Sequence, residues 1–277
     1  MSDGLRFWSG TLLGASLDAH LVAASAGGFS DLSLFPLDYT TARASGMSDR
    51  ELRSRIDDSG LRVAVIDPLT TWVPDWTPPA GVPQENLAFG DYSTDEVLRQ
   101  AVVLGAHTIS AIELWGNAVD LDQGAERLAS LCDRAAEHGL RVQVEFIPFS
   151  GIPTLREAWE LVRRADRTNA GIVFDTWHWY RGDNDEALLR EIPGDRIFAV
   201  QVSDGPSSGE EDLLDECLHR RLLPGEGEMD LTRVLRLLRD SGATPSYGVE
   251  VFSDALLEQD PAYVGRRTAG ALRSLLP

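Results

Sequence analysis

The chain has 277 residues, 43% hydrophobic and 25% charged, with a formal net charge of −19. That balance fits a soluble globular enzyme, and its sign excludes nucleic acid and anionic membranes as partners, since both call for a basic face. No apolar run approaches the roughly 18 residues of a membrane span, no basic leader precedes an apolar stretch, and the two cysteines, Cys132 and Cys217, make no disulfide framework, so a reducing cytoplasm is the expected location.

Apolar, β-rich runs alternate with helix-period stretches along the chain. Phe7 to Leu13 reads as a strand with a helix from Ser16; Leu32 to Leu37 reads as the next, its helix opening at Ser48-Asp49 with Glu51 placed for a capping box. Leu61 to Ile66 follows, its helix delayed to Ser93-Thr94, and then His107 to Leu114 with a helix over Leu121 to His138 that stops at Gly139. The second half keeps the rhythm: strands at Leu140 to Ile147, Gly171 to Thr176, Arg196 to Val202 and Tyr247 to Phe252. Their helices run over Thr154 to Arg167, Asp185 to Glu191, Leu231 to Gly242 and Pro261 to Leu275. Cys132 falls on an apolar helical face and reads as core; Cys217 falls in a polar segment and reads as exposed.

Strands written as continuous apolar runs belong to a parallel sheet covered by helices. Eight βα units predict an α/β fold, a single (β/α)8 TIM barrel over residues 1–277, rather than an open doubly wound sheet, because no Gly-x-Gly-x-x-Gly follows the first strand. Two connections exceed plain turns, 67–92 with Trp72 and Trp76, and 204–228 with Glu210, Glu211, Asp212, Arg220 and Arg221. Both follow a strand, which puts them on the catalytic face of a barrel. Trp72 is a candidate substrate contact on a loop that either closes over the ligand or packs over the mouth.

Charge interrupts the apolar strands near their carboxyl ends: Glu145 in Val-Gln-Val-Glu-Phe, Asp175 in Ile-Val-Phe-Asp-Thr, Gln201 in Ala-Val-Gln-Val-Ser and Glu250 in Val-Glu-Val-Phe. A buried carboxylate is costly unless paired or bound to a cation. Carboxylate and amide oxygens form a hard shell, so these four are candidate ligands of one divalent ion, Mn2+ or Mg2+ first and Co2+ or Zn2+ second. The competing reading has them in salt bridges to buried arginines or capping loops.

The sequence resembles the xylose-isomerase-like barrel superfamily, particularly its sugar-phosphate isomerase/epimerase branch. The resemblance lies in Val-Glu-Phe at Glu145, Asp-Thr-Trp-His at 175–178, Gln-Val-Ser-Asp at 201–204, Leu-Pro-Gly-Glu-Gly-Glu at 223–228 and Val-Glu-Val-Phe-Ser at 249–253. It implies one metal held by Glu145, Asp175, Gln201 and Glu250, a substrate-contacting histidine at His178, and a substrate-binding arginine at Arg221 or Arg220. Many relatives carry His where this chain has Gln201; Gln is also found there in hydroxypyruvate isomerases and some bacterial 3-dehydroshikimate dehydratases.

A metal held by carboxylates polarises a carbonyl and stabilises the enediolate left when an α-proton departs. Glu145 and Glu250 are the candidate bases, one on each side of the substrate, and His178 the third. The expected function is isomerisation or epimerisation of a small sugar-like hydroxy-carbonyl compound. The alternatives are β-elimination of water by a lyase of the 3-dehydroshikimate dehydratase type, or a non-catalytic sugar-binding module. The partner is a small molecule (sugar, keto-polyol or keto-acid), and homo-oligomerisation is left open. His178 between Trp177 and Trp179 could instead pack in the core, and Arg221 could simply pair with the acidic loop.

Overall fold

The structure, a computed structural model, describes residues 4–73, 76–78 and 89–276. Eight strands pair in sequence order, all parallel, and the last pairs with the first to close the barrel. They are β1 (Arg6–Phe7), β2 (Asp31–Leu34), β3 (Arg62–Leu69), β4 (Thr108–Ala111), β5 (Arg141–Glu145), β6 (Ala170–Asp175), β7 (Ile197–Val202) and β8 (Ser246–Val249). The ring is sealed outside by helix Pro261–Leu275 lying on helix Leu17–Gly27. Gly265 lets them meet, because a Cβ there would stand 1.8 Å from the Ala23 carbonyl oxygen.

The helices begin where their caps say. Ser48 with Glu51, Ser93 with Glu96 and Thr154 with Glu157 each form a reciprocal capping box, which satisfies amides that the first turn leaves without partners. Gly139, at φ +69°, follows the helix Leu121–Ala136 in the left-handed region that glycine tolerates.

Several edges differ from the sequence expectation. The first strand is shorter than Phe7 to Leu13, because Ser9–Leu12 coils into a 3-10 turn. The last ends at Val249, so Glu250 stands just beyond it. The third runs to Leu69 rather than Ile66, which moves Asp67 from loop to strand. Short helices among the described residues that were not anticipated include Pro36–Ala44, Thr176–Arg181, Leu213–His219 and Asp254–Leu257. Among the described residues, no helix is long and apolar enough to cross a membrane.

Strand alternation carries the design inward. Ala64, Val65, Val173 and Ala199 form a buried cluster with Trp8. Side chains two residues apart share a face, so Asp67, Asp175 and Gln201 follow Val65, Val173 and Ala199 toward the C-terminal mouth. That mouth is where barrels of this type build their active sites.

Candidate active site

The mouth gathers Asp67, Glu145, Asp175, His178, Gln201, Arg221 and Glu250, all buried. Asp175 and Gln201 sit opposite one another in the β6–β7 register. Asp175 ends β6 and caps the helix that follows, its Oδ1 accepting the His178 amide at 2.9 Å. An aspartate at this junction is a strong N-cap, and it turns the chain so that His178 re-enters the mouth. There His178 Nε2 lies 3.3 Å from Glu145 Oε1 and 3.4 Å from Arg221 Nη2.

Arg221 is 1% exposed. Its Nη1 donates to Asp175 Oδ2 at 2.8 Å and its Nε to the Cys217 carbonyl at 3.0 Å. Its guanidinium lies 4.9 Å from the ring centroids of both Trp177 and Phe252. This is a planar cation held between aromatic faces, an arrangement lysine could not reproduce. The Cys217 thiol accepts a further bond from Arg221 at 2.9 Å. Cys217 is therefore buried, correcting the expectation of an exposed cysteine: helix Leu213–His219 turns its inner side onto Arg221.

The electrostatics of the mouth are those of a crowd of acids. Burial pushes Glu145 well above the ordinary glutamate range, with Asp67, Glu250 and Asp175 adding repulsion. Burial does the same to Glu250, and Asp67 is again the largest repelling neighbour. Asp67 itself is pushed up to about 7 by burial, against a hydrogen bond from Ser110. Burial also opposes ionisation of Asp175, but the neighbouring His178 and Arg221 and the bonds they donate hold it below its usual value. Burial, with Arg221 alongside, brings His178 down to about 3, so its imidazole is neutral at physiological pH.

These residues fit a divalent cation. Ligand atoms of Glu145, Asp175 and His178 lie within 4.8 Å of one another. Gln201 is fully buried, and neither its Oε1 nor its Nε2 has a hydrogen-bond partner among the described residues. A buried amide left bare is costly, and a cation at Oε1 would satisfy it. A cation would also offset the burial and mutual repulsion that raise Glu145 and Glu250. Glu250 stands outside the tight trio, with its carboxylate near Gly10, where a Cβ would come within 2.7 Å of Oε1.

Other residues singled out in the sequence lie elsewhere. Arg220 is half-exposed at the rim, ion-paired with Glu210 at 2.7 Å and with Asp215. Trp72 is 4% exposed, and its Nε1 donates to the Ile112 carbonyl at 3.0 Å, so it is packed under the rim. Residues 74–75 and 79–88 of the proposed covering loop fall outside the described residues.

Sequence reading also missed four carboxylates. Asp67 lines the mouth. Glu113 accepts amides of Trp115, Gly116 and Gly151 at 2.9, 2.8 and 2.6 Å. Asp204 accepts those of Gly205, Gly225 and Met229 at 2.8, 2.9 and 3.1 Å. Glu216 takes the Trp177 indole at 2.9 Å, Arg181 Nη2 at 2.6 Å and the Glu210 amide at 2.8 Å. The signal for Asp67 was its spacing of two from Val65; the other three follow strands or sit in a long loop, where a single acid carries no pattern.

Comparison with known proteins gives the same outline. The profile of a family described as xylose isomerase-like TIM barrel matches residues 21–275. The chain is 30% identical over 271 residues to a 3-dehydroshikimate dehydratase of Pseudomonas aeruginosa, covering 95% of this chain and 40% of that protein. It is 32% identical over 129 residues to an inosose isomerase of Bacillus licheniformis, covering 46% of this chain and 45% of that one. The chain thus spans less than half the length of these curated relatives. Among solved structures, the IOLI protein with a bound zinc atom superposes with a TM-score of 0.82 at 18% identity, over 99% of this chain and 98% of that one.

Proposed function

The chain belongs to the xylose isomerase-like TIM-barrel family, and on that premise we propose that it is a divalent-metal-dependent enzyme abstracting a proton α to the carbonyl of a small sugar-like substrate, giving isomerisation or epimerisation. The observation that carries this reading is the mouth itself. Buried carboxylates repel one another around a glutamine amide that has no partner among the described residues, an arrangement that a cation among them would satisfy. Two of the relatives are named as a 3-dehydroshikimate dehydratase and an inosose isomerase, and one protein of this fold holds zinc.

Glu145, Asp175, Gln201 and Glu250 would hold the ion, with His178 Nε2 close enough to join or replace one of them. When bound, the ion supplies Lewis acidity, offsetting the negative charge that develops on the carbonyl oxygen as the α-proton leaves. Glu145 and Glu250, from β5 and the end of β8, approach the mouth from different sides, so one removes the proton and the other returns it in an epimerisation. His178 Nε2, 3.3 Å from Glu145 Oε1, is within reach of a proton passed to or from that carboxylate. Arg221 fixes the orientation of Asp175 and keeps that carboxylate ionised, the supporting role that outer partners play around metal ligands.

A second reading, dehydration by β-elimination, is favoured by the dehydratase relative that aligns with nearly the whole chain. Both begin with the same proton abstraction. Protein loaded with Mg2+ or Mn2+ is incubated in D2O with ketoses, hydroxypyruvate, inosose and 3-dehydroshikimate, then quenched with chelator and read by NMR. Deuterium at an α-carbon with retained mass of the skeleton is expected for the first reading, and loss of water for the second. No exchange with any substrate would leave only a binding module.

A further inference from the structure

The charges around the mouth specify the class of substrate, on the premise that the mouth is the enolising site just described. On the mouth side, the segments joining each strand to its next long helix contain six residues that can be cationic: Arg43, His178, Arg181, His219, Arg220 and Arg221. Every one already faces a carboxylate. Arg43 lies 3.2 Å from Asp49, Arg181 2.6 Å from Glu216, His219 2.9 Å from Asp254, and Arg220 2.7 Å from Glu210. Arg221 lies 2.8 Å from Asp175 and His178 3.3 Å from Glu145. The chain contains no lysine, and the whole stretch between Arg62 and Arg99 has no arginine or histidine.

Against this stand four buried carboxylates in the mouth: Asp67, Glu145, Asp175 and Glu250. A dication and Arg221 together could balance three negative charges, so the mouth holds no cation in excess of its acids. A phosphate or carboxylate on the substrate would enter a buried, like-charged pocket and shed its hydration without gaining a free cation. Anion recognition rests on arginine forks or on open helix N-termini. The forks are taken, and the helix that opens into the mouth is closed by Asp175 itself.

Asp67 is the carboxylate left over from the metal shell. It lies on β3, across the closed ring from β7 and Gln201, with Ser110 as donor on one side and Gln143 behind Ser110 at 2.9 Å. We propose that the substrate is an uncharged polyhydroxylated ketone or aldehyde, and that Asp67 selects it by accepting a hydrogen bond from one of its hydroxyls. A keto-acid or a sugar phosphate is thereby disfavoured. The two arginines singled out in the sequence for substrate binding, Arg220 and Arg221, are both committed to carboxylates.

The test uses the metal-loaded protein and two unreactive probes, myo-inositol and shikimate, titrated by calorimetry into wild type and Asp67→Asn. The uncharged probe is expected to bind wild type roughly tenfold or more tightly than the carboxylate. Asp67→Asn should narrow that gap from both ends while metal stoichiometry and melting temperature hold. Tighter binding of shikimate, or a gap unchanged in Asp67→Asn, would overturn the proposal. The D2O experiment separates the two levels of failure: exchange that prefers 3-dehydroshikimate over inosose sinks the charge argument and leaves the enolising function intact. Absence of both binding and exchange sinks the function, and this inference with it.

Discussion

Two groups of buried carboxylates share the C-terminal rim of the barrel, and their surroundings treat them in opposite ways. Glu113, Asp204 and Glu216 each accept three or more hydrogen bonds from amides, an indole or Arg181. Glu145, Glu250 and Asp67 receive no backbone amide among the described residues and face one another. The first group ties loops together: Glu113 joins the β4 and β5 loops, Asp204 the turn around Gly225, and Glu216 the aromatic helix that carries His178. The second group is held in an arrangement that a bound cation would relieve. Donor supply therefore separates acids that build the rim from acids left facing one another in the mouth.

The comparison is broken most forcefully by exchanging charge for isosteric amide in each group. Glu145→Gln or Asp175→Asn should lower turnover by roughly a thousandfold or more, while Glu113→Gln should leave turnover within a few fold and instead cost about 1–3 kcal/mol of stability. Chemical denaturation and steady-state kinetics on the same preparations check both. Glu250→Gln is the sharper version: without metal it should be at least as stable as wild type, because it removes an acid whose ionisation burial and its neighbours oppose. A strong loss of metal-free stability in Glu250→Gln would place it with the struts.

Arg221→Ala comes next. It strands Asp175 as a buried, unpaired carboxylate, which costs about 3–5 kcal/mol, and a fall in melting temperature should accompany weaker metal binding. Cys217, Trp177 and Phe252 would all lose their shared neighbour.

A smaller effect follows from Asp67. Its carboxyl is held up to about 7 in the folded chain, above the unfolded value near 3.9. The folded state thus keeps a proton that the unfolded state has released, and stability declines as pH rises from about 4 through 7. Asp67→Asn should remove that decline in metal-free protein, measured as the difference between the two denaturation profiles across this range. His178 acts in the opposite sense, since a folded value of about 3 makes stability rise between pH 3 and its unfolded value near 6.5. Reading the difference between variant and wild type cancels the histidine. Smallest of all, Arg220→Ala should shift stability by no more than about 0.5 kcal/mol, since its partners are half-exposed.

The barrel was legible because its signals are local. Apolar runs and reciprocal caps such as Ser48–Glu51 and Ser93–Glu96 are written within a few residues of each other. Glu145, Asp175, Gln201 and Glu250 were legible because a polar residue in an apolar strand has no local explanation, and the fold brings all four to one end. Asp67 was not, because Pro68 follows it and an Asp-Pro pair reads as the start of a loop; the strand nevertheless continues to Leu69. The helix Thr176–Arg181 was hidden for a related reason: its cap, Asp175, is also the last residue of β6. Cys217 and Arg221 lie in a polar stretch that only the tertiary fold turns inward. Which arginines are committed to partners is likewise a matter of long-range pairing, and periodicity says nothing about it.

The central claim is that the mouth acids form a metal site, and elemental analysis after equilibrium dialysis against Mn2+ or Mg2+ tests it most directly. Wild type and Glu113→Gln should each retain one ion per chain, and Glu145→Gln and Asp175→Asn none. Retention of the same ion by Glu145→Gln and Asp175→Asn, or no uptake by wild type, would contradict the account.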